Sequence, residues 1–137
     1  MGRSLPTGPA GGSYHSIVFA GQRQAASLTN DYRWVAPFSG IIQETSVITD
    51  VTTGAPTYAV VNDTQSVNIV ASRALPASNV VETLTPTTSP VLANRSFDKG
   101  DIIRFTPTTA GAEVADTACL TFTVRDTGFV VASADDD

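Results

Sequence analysis

Charge, lysine, histidine and cysteine are scarce in this sequence, and each shortage removes a class of function. Cys119 is the single cysteine among 137 residues, which excludes a disulfide framework within one chain and a Cys-rich metal site. His15 is the single histidine, so a Ser-His-Asp site would have to use it as the base. Ser13 and Ser16 are close in sequence, but no nucleophile-elbow motif surrounds any serine. Lys99 is the sole lysine, and the arginines (3, 23, 33, 73, 95, 104 and 125) are scattered on a chain of net charge −5. With no basic run, nucleic-acid binding through phosphates has little support. No apolar run approaches the roughly 20 residues of a membrane span, and the Gly/Pro-rich start has no signal-peptide core. Gly2 does not complete an N-myristoylation motif, because Pro6 stands where Ser or Thr is required.

Charged residues make up only 15% of the chain, against roughly 25% in an ordinary soluble domain. Interface cores lose charge in this way, so part of the surface is expected to face another protein copy. The competing explanation is that Thr, Ser and Asn keep the surface wet without charge. Hydrophobic residues reach 42%, enough for one sizeable core in a chain of one domain's length.

What is abundant is β vocabulary: Val, Ile and Thr are stiff at χ1 and fit a pleated surface. Strands are expected at 16–20, 32–36, 41–49, 57–62, 66–72, 79–83, 101–106, 118–125 and 128–132, punctuated by Gly, Pro, Asn and Asp. In the clearest of them Ala118, Leu120, Phe122 and Val124 face one way, and Cys119, Thr121, Thr123 and Arg125 the other. Ile103 and Phe105 are expected inward. The 41–49 strand is out of phase, and either a bulge near Glu44 or burial on both faces accounts for it. The fold class is an all-β, two-sheet β-sandwich of the jelly-roll kind, with a flexible N-terminal arm. The expected organisation is a Gly/Pro-rich arm at 1–12, one domain at 13–133 and an acidic tail at 134–137.

No constellation of side chains points to catalysis. The carboxylates Glu44, Asp50, Asp63, Glu82, Asp98, Asp101, Glu113, Asp116 and Asp126 fall mostly at strand ends and turns, where Asp favours turn geometry, and none forms an evident glycosidase pair. Asp98 and Asp101 could contribute to a calcium site, but Lys99-Gly100-Asp101 reads more simply as a turn entering a strand. Tyr32, Trp34 and Phe38 are candidates for stacking on a sugar, although the alternation around Trp34 favours core packing. Neither a phosphate-cradling loop nor a dinucleotide fingerprint is present. The expectation is therefore no enzyme, no cofactor and no metal.

Two stretches carry a resemblance. The first is Trp34-Val35-Ala36-Pro37-Phe38-Ser39-Gly40-Ile41-Ile42. The second is Arg95-Ser96-Phe97-Asp98-Lys99-Gly100-Asp101-Ile102-Ile103-Arg104-Phe105, followed by the alternating strand through Val124. Over roughly 32–131 the chain resembles small virion proteins of tailed bacteriophages, among them jelly-roll capsid decoration (cement) proteins and head-fibre or tail-associated modules. The resemblance implies a homotrimer on the outer surface of the capsid, bound to the major capsid protein, with no catalytic residues. The alternative is a carbohydrate- or receptor-binding module of a head fibre or tail. In the arm, Arg3, Leu5, Pro6 and Pro9 are the candidate shell contacts.

Overall fold

The Val/Ile/Thr-rich stretches do form strands. The computed structural model describes residues 13–20, 24–25, 31–87, 92–109, 113–116 and 118–127, and no helix occurs among them. Its strands are β1 (Tyr14–Ala20), β2 (Gln24–Ala25), β3 (Tyr32–Val35), β4 (Gly40–Ile48), β5 (Val51–Thr53) and β6 (Thr57–Asn62), then β7 (Val67–Ala74), β8 (Glu82–Leu84), β9 (Ser96–Phe97), β10 (Ile102–Thr108), β11 (Val114–Asp116) and β12 (Cys119–Asp126). The strand expected at 128–132, the acidic tail and the N-terminal arm with Arg3, Leu5, Pro6 and Pro9 lie outside the described residues.

One sheet has the order β1-β12-β4-β8, with β9 also on β4; a second runs β3-β10-β6-β7; a short third runs β2-β11-β5. The third continues the first. Tyr14 opposite Arg125 in β1–β12 and Gln24 opposite Ala115 in β2–β11 share the same register, as do Cys119 opposite Ile48 and Val114 opposite Thr53. β8 and β9 likewise share one position beside β4, at its two ends. Counted by position in the chain, the two sheets read 1-8-3-6 and 2-7-4-5, antiparallel throughout, which is the jelly-roll order.

The alternation expected in 118–125 is realised: Ala118, Leu120, Phe122 and Val124 are all buried. Ile103 and Phe105 are buried opposite them. Aromatic rings close the space between the sheets, with Phe19 at 6.1 Å from Phe105 and Trp34 at 5.4 Å from Phe122, inside the range where tilted ring pairs attract. The phase problem in β4 resolves as a bulge. Thr123 pairs with Glu44 but Val124 pairs with Ile42, leaving Gln43 as the extra residue. Ile42 and Val47 therefore both point into the core despite their odd spacing.

β1 starts two residues before the expected 16–20, β7 and β10 end two residues after the expected 66–72 and 101–106, and the strand expected at 79–83 starts three residues late. Asn79 adopts φ of 59°, a left-handed conformation that Asn tolerates and a strand does not. It belongs to a turn closed by Val80 N–H donating to Ala77 O at 3.0 Å, and β8 starts only at Glu82.

Candidate functional surfaces

The two stretches that carry the resemblance meet in space and build one corner of the sandwich. Ala36 N–H donates to Asp101 O at 2.8 Å and Gly100 N–H returns a bond to Ala36 O at 2.7 Å. Lys99 N–H donates to Ser39 Oγ at 2.9 Å, and Ile42 N–H to Arg95 O at 3.0 Å. Gly100 has φ of 94°, where a Cβ is penalised, so the Gly-Asp pair is there for the turn. Gly40 is needed for closeness instead. A Cβ on it would lie 2.7 Å from Arg125 O and 2.8 Å from Phe97 Cζ.

Asp101 is the hub of this corner. Its buried carboxylate accepts, through Oδ2, hydrogen bonds from Asn62 Nδ2 at 2.9 Å, Gln65 Nε2 at 2.7 Å and Asp98 N–H at 2.9 Å. Burial pushes the Asp101 carboxyl up, but the donors from Asn62, Asp98 and Gln65 outweigh it and hold the carboxyl below the usual carboxylate range. Asp98 and Asp101 thus form the expected turn, with Asp101 N–H donating to Asp98 O at 2.9 Å.

A second polar cluster ties the two sheets where β7 faces β8. Tyr58 OH donates to Glu82 Oε1 at 3.0 Å, and Arg73 Nη2 donates to Glu82 Oε2 at 2.7 Å. Burial raises the Tyr58 hydroxyl far above the ordinary tyrosine value, and the negative Glu82 adds to it. Beside this cluster a groove of about 410 Å³ runs along β7, bounded across from it by Leu84, Ala93 and Asn94. Ala93 N–H donates to Ile69 O at 3.0 Å, and Asn94 Nδ2 to Asn68 O at 2.8 Å, so a loop already caps part of that edge.

The outer faces of the two sheets differ in kind. On the second sheet, Arg33 and Arg104 stand opposite each other in register. Arg104 Nη2 lies 2.8 Å from Asp63 Oδ1 and its Nη1 3.5 Å from Asp31 Oδ1, while Arg33 lies 3.7 Å from Asp31. The hydrogen bond from Arg104 holds the Asp63 carboxyl below its usual range against the effect of burial. These arginines look scattered in sequence, and strand pairing is what brings them together.

The first sheet turns a different surface outward. In register across it run Val18, Thr121, Ser46 and Thr83, flanked by Ser16, Thr123 and Glu44 on one side and by Cys119 and Ile48 on the other. Ser46 Oγ and Thr83 Oγ1 are 2.9 Å apart, which fixes both on the outside. Along β1, β4, β8 and β12, Glu44 and Arg125 carry the outward charges. Tyr14 and Val18 on this sheet and Val81, just before β8, are 57%, 58% and 57% exposed. The described chain's other strongly exposed large hydrophobics are Val80, next to Val81 in sequence, and Val35 on the second sheet.

The remaining sequence candidates fall as follows. Trp34 is half-buried and packs edge-on against Phe38, Phe97 and Phe122, the core role that its alternation favours. Phe38 and Tyr32 join the same core margin. His15 stacks on Phe38 at 4.5 Å between ring centres, and its Nε2 lies 4.0 Å from Asp126 Oδ2, with no hydrogen-bond partner. That is a packing position at the end of β1. Cys119 is a free, half-buried thiol on the outer face of the first sheet. No cluster of three or more metal-ligating side chains occurs among the described residues. No protein-family model matches the chain, and comparison with curated proteins and with solved structures returns no match.

Proposed function

We propose that this chain is a non-catalytic structural jelly roll that binds the outside of a virion shell as an oligomer and stabilises it. The observation that carries this reading is the outer face of the first sheet, broad, with Glu44 and Arg125 as its outward charges and with Tyr14 and Val18 exposed on it. A face of that composition is suited to covering by protein. The virion shell is the assembly named by the resemblance in 34–42 and 95–105, with the major capsid protein as the partner.

The mechanism is linkage. A protein that binds the assembled shell and not its free subunits stabilises the assembled state by RT ln(1 + [L]/Kd), about 2.7 kcal/mol per site at a hundredfold excess over Kd. Repetition by symmetry lets modest contacts add through effective concentration, which suits a chain whose outer face offers breadth in place of one deep anchor. The test is to count copies per purified virion by quantitative mass spectrometry and to follow DNA release on heating with and without the protein. Hundreds of copies and earlier release in its absence are expected. A handful of copies with identical release curves would refute shell stabilisation and favour a fibre or receptor-binding role.

A further inference from the structure

We propose that His15 and Asp126 form a pH-sensitive latch: when His15 is protonated, its ring bonds the Asp126 carboxylate and clamps the start of β1 to the end of β12. The inference is independent of the virion-shell reading.

Three observations carry it. First, strand pairing brings the two residues together and leaves both unsatisfied. His15 stands opposite Val124 in the β1–β12 register, so Asp126 is its diagonal neighbour on the same face of the sheet. Among the described residues, three buried side-chain polar atoms lack a hydrogen-bond partner, and two of the three are His15 Nε2 and Asp126 Oδ1. Nε2 lies 4.0 Å from Asp126 Oδ2, about 1 Å beyond a charge-assisted hydrogen bond. A small torsion of either side chain closes that gap. Second, protonation changes what the ring can do. A neutral imidazole donates from one nitrogen and accepts at the other, whereas the imidazolium donates from both. A buried cationic donor is costly without a partner, and the carboxylate beside it is that partner. The face of Phe38, with ring centres 4.5 Å apart, meets the same charge by a cation–π contact. Third, the surroundings leave the pair to itself. On β12, Arg125 points to the outer face of the first sheet, and on β1 Tyr14 does the same. The 36–39 segment carries no ionisable group. Beyond Ser39, whose Oγ accepts from Lys99 N–H, Asp98 and Lys99 are both exposed.

The position gives the bond its consequence. β1 lies at the end of its sheet, and Asp126 N–H already donates to Ser13 O at 2.8 Å. The side-chain bond adds a second tie where residues 1–12 join that strand. It is present while His15 is charged and Asp126 ionised. It is lost as pH rises through the histidine range, centred on about 6.5 for the free side chain.

The experiment follows amide hydrogen exchange of β1 relative to β10 in the full chain, corrected for intrinsic rates, because an edge strand opens locally while a central one reports wider opening. In wild type, relative protection of β1 is expected to be at least threefold higher at about pH 5.5 than at about pH 8, the modest factor of a partly exposed ion pair. His15→Gln and Asp126→Asn each remove one charge and keep a polar side chain. Both, checked for strand content by circular dichroism, are expected to lose this pH dependence. An equal wild-type ratio at the two pH values would overturn the latch. A rise that persists in either folded variant would also overturn it and assign the pH dependence to another group. Where neither variant folds, wild type decides: the rise must shrink at about 1 M salt, which screens the pair, and a rise indifferent to salt would overturn the proposal.

Discussion

Replacing Asp101 by Ala removes one carboxylate oxygen on which three donors converge, and the cost can be worked out donor by donor. Gln65 and Asp98 are exposed, so their N–H groups turn to water and each loss is limited to about 0.5 kcal/mol. Asn62 is fully buried and its Nδ2 is left with no acceptor, which costs about 1–3 kcal/mol. The sum is about 3 kcal/mol. At roughly 2.1 cal/mol/K of unfolding entropy per residue, that lowers Tm by about 10 °C in a domain of this size. Thermal unfolding of wild type and variant at one protein concentration measures it. A double-mutant cycle with Asn62→Ala should return a coupling of about 1–2 kcal/mol. The effect also carries a pH signature. The folded carboxyl titrates below its ordinary value of 3.8, so its contribution is fully present above that pH and is lost as pH falls through the lower folded value. The difference between wild type and variant must therefore shrink below about pH 3.8. A Tm change under about 3 °C, or a gap undiminished at pH 3, would refute the account of Asp101 as hub.

Gly40→Ala should destabilise by about 1–3 kcal/mol, because the added methyl meets a backbone oxygen and the Phe97 ring at once; chemical denaturation reads it, and a neutral result would mean that the corner has slack. Glu82→Ala should cost about 2–3 kcal/mol by stranding the buried Tyr58 hydroxyl and the Arg73 guanidinium. Adding Tyr58→Phe should recover part of that loss, and a double variant worse than the single one would contradict the hydrogen-bond explanation. Cys119→Ser should leave Tm nearly unchanged, since a hydroxyl replaces a half-buried thiol of similar size; a markedly lowered Tm would show that the sulfur itself contributes to packing.

Much of the fold was legible because its signals are local. The alternation of Leu120, Phe122 and Val124 places one face inward by period alone, and 57–62 begins and ends where the sequence places it. The out-of-phase apolar residues of 41–49 announced an irregularity, and only pairing with β12 could locate it at Gln43. The short strands β2, β5, β9 and β11, two or three residues each, escaped because so short a run has no period to detect. At the candidate surfaces the balance reverses. The Gly100-Asp101 turn could be read directly, but Asp101's ties to Asn62 and Gln65 span 39 and 36 residues. Tyr58 and Glu82 are 24 apart, and nothing near either residue advertises the other. The low total charge was visible in composition, whereas its distribution between two sheet faces depends on strand order.

That distribution follows from how jelly-roll order uses the chain. Positions one, three, six and eight make the first sheet and two, four, five and seven the second, so each sheet draws its outward residues from the whole length of the sequence. A single outward charge is cheap to gain or lose anywhere; the strands carry two outward charges on each sheet, Glu44 and Arg125 on the first and Arg33 and Arg104 on the second, and the second pair is joined to Asp31 and Asp63 in a network drawn from three separate segments. If both faces met only water, no physical requirement would separate them, since both Thr and Arg are tolerated on an open strand face. Covering one face imposes that requirement: each unpaired charge there would have to be desolvated, whereas the opposite face stays free to hold charges that resist stacking. The network on the second sheet is costly to desolvate, which makes the first sheet, with Glu44 and Arg125 as its outward charges, the easier of the two to cover.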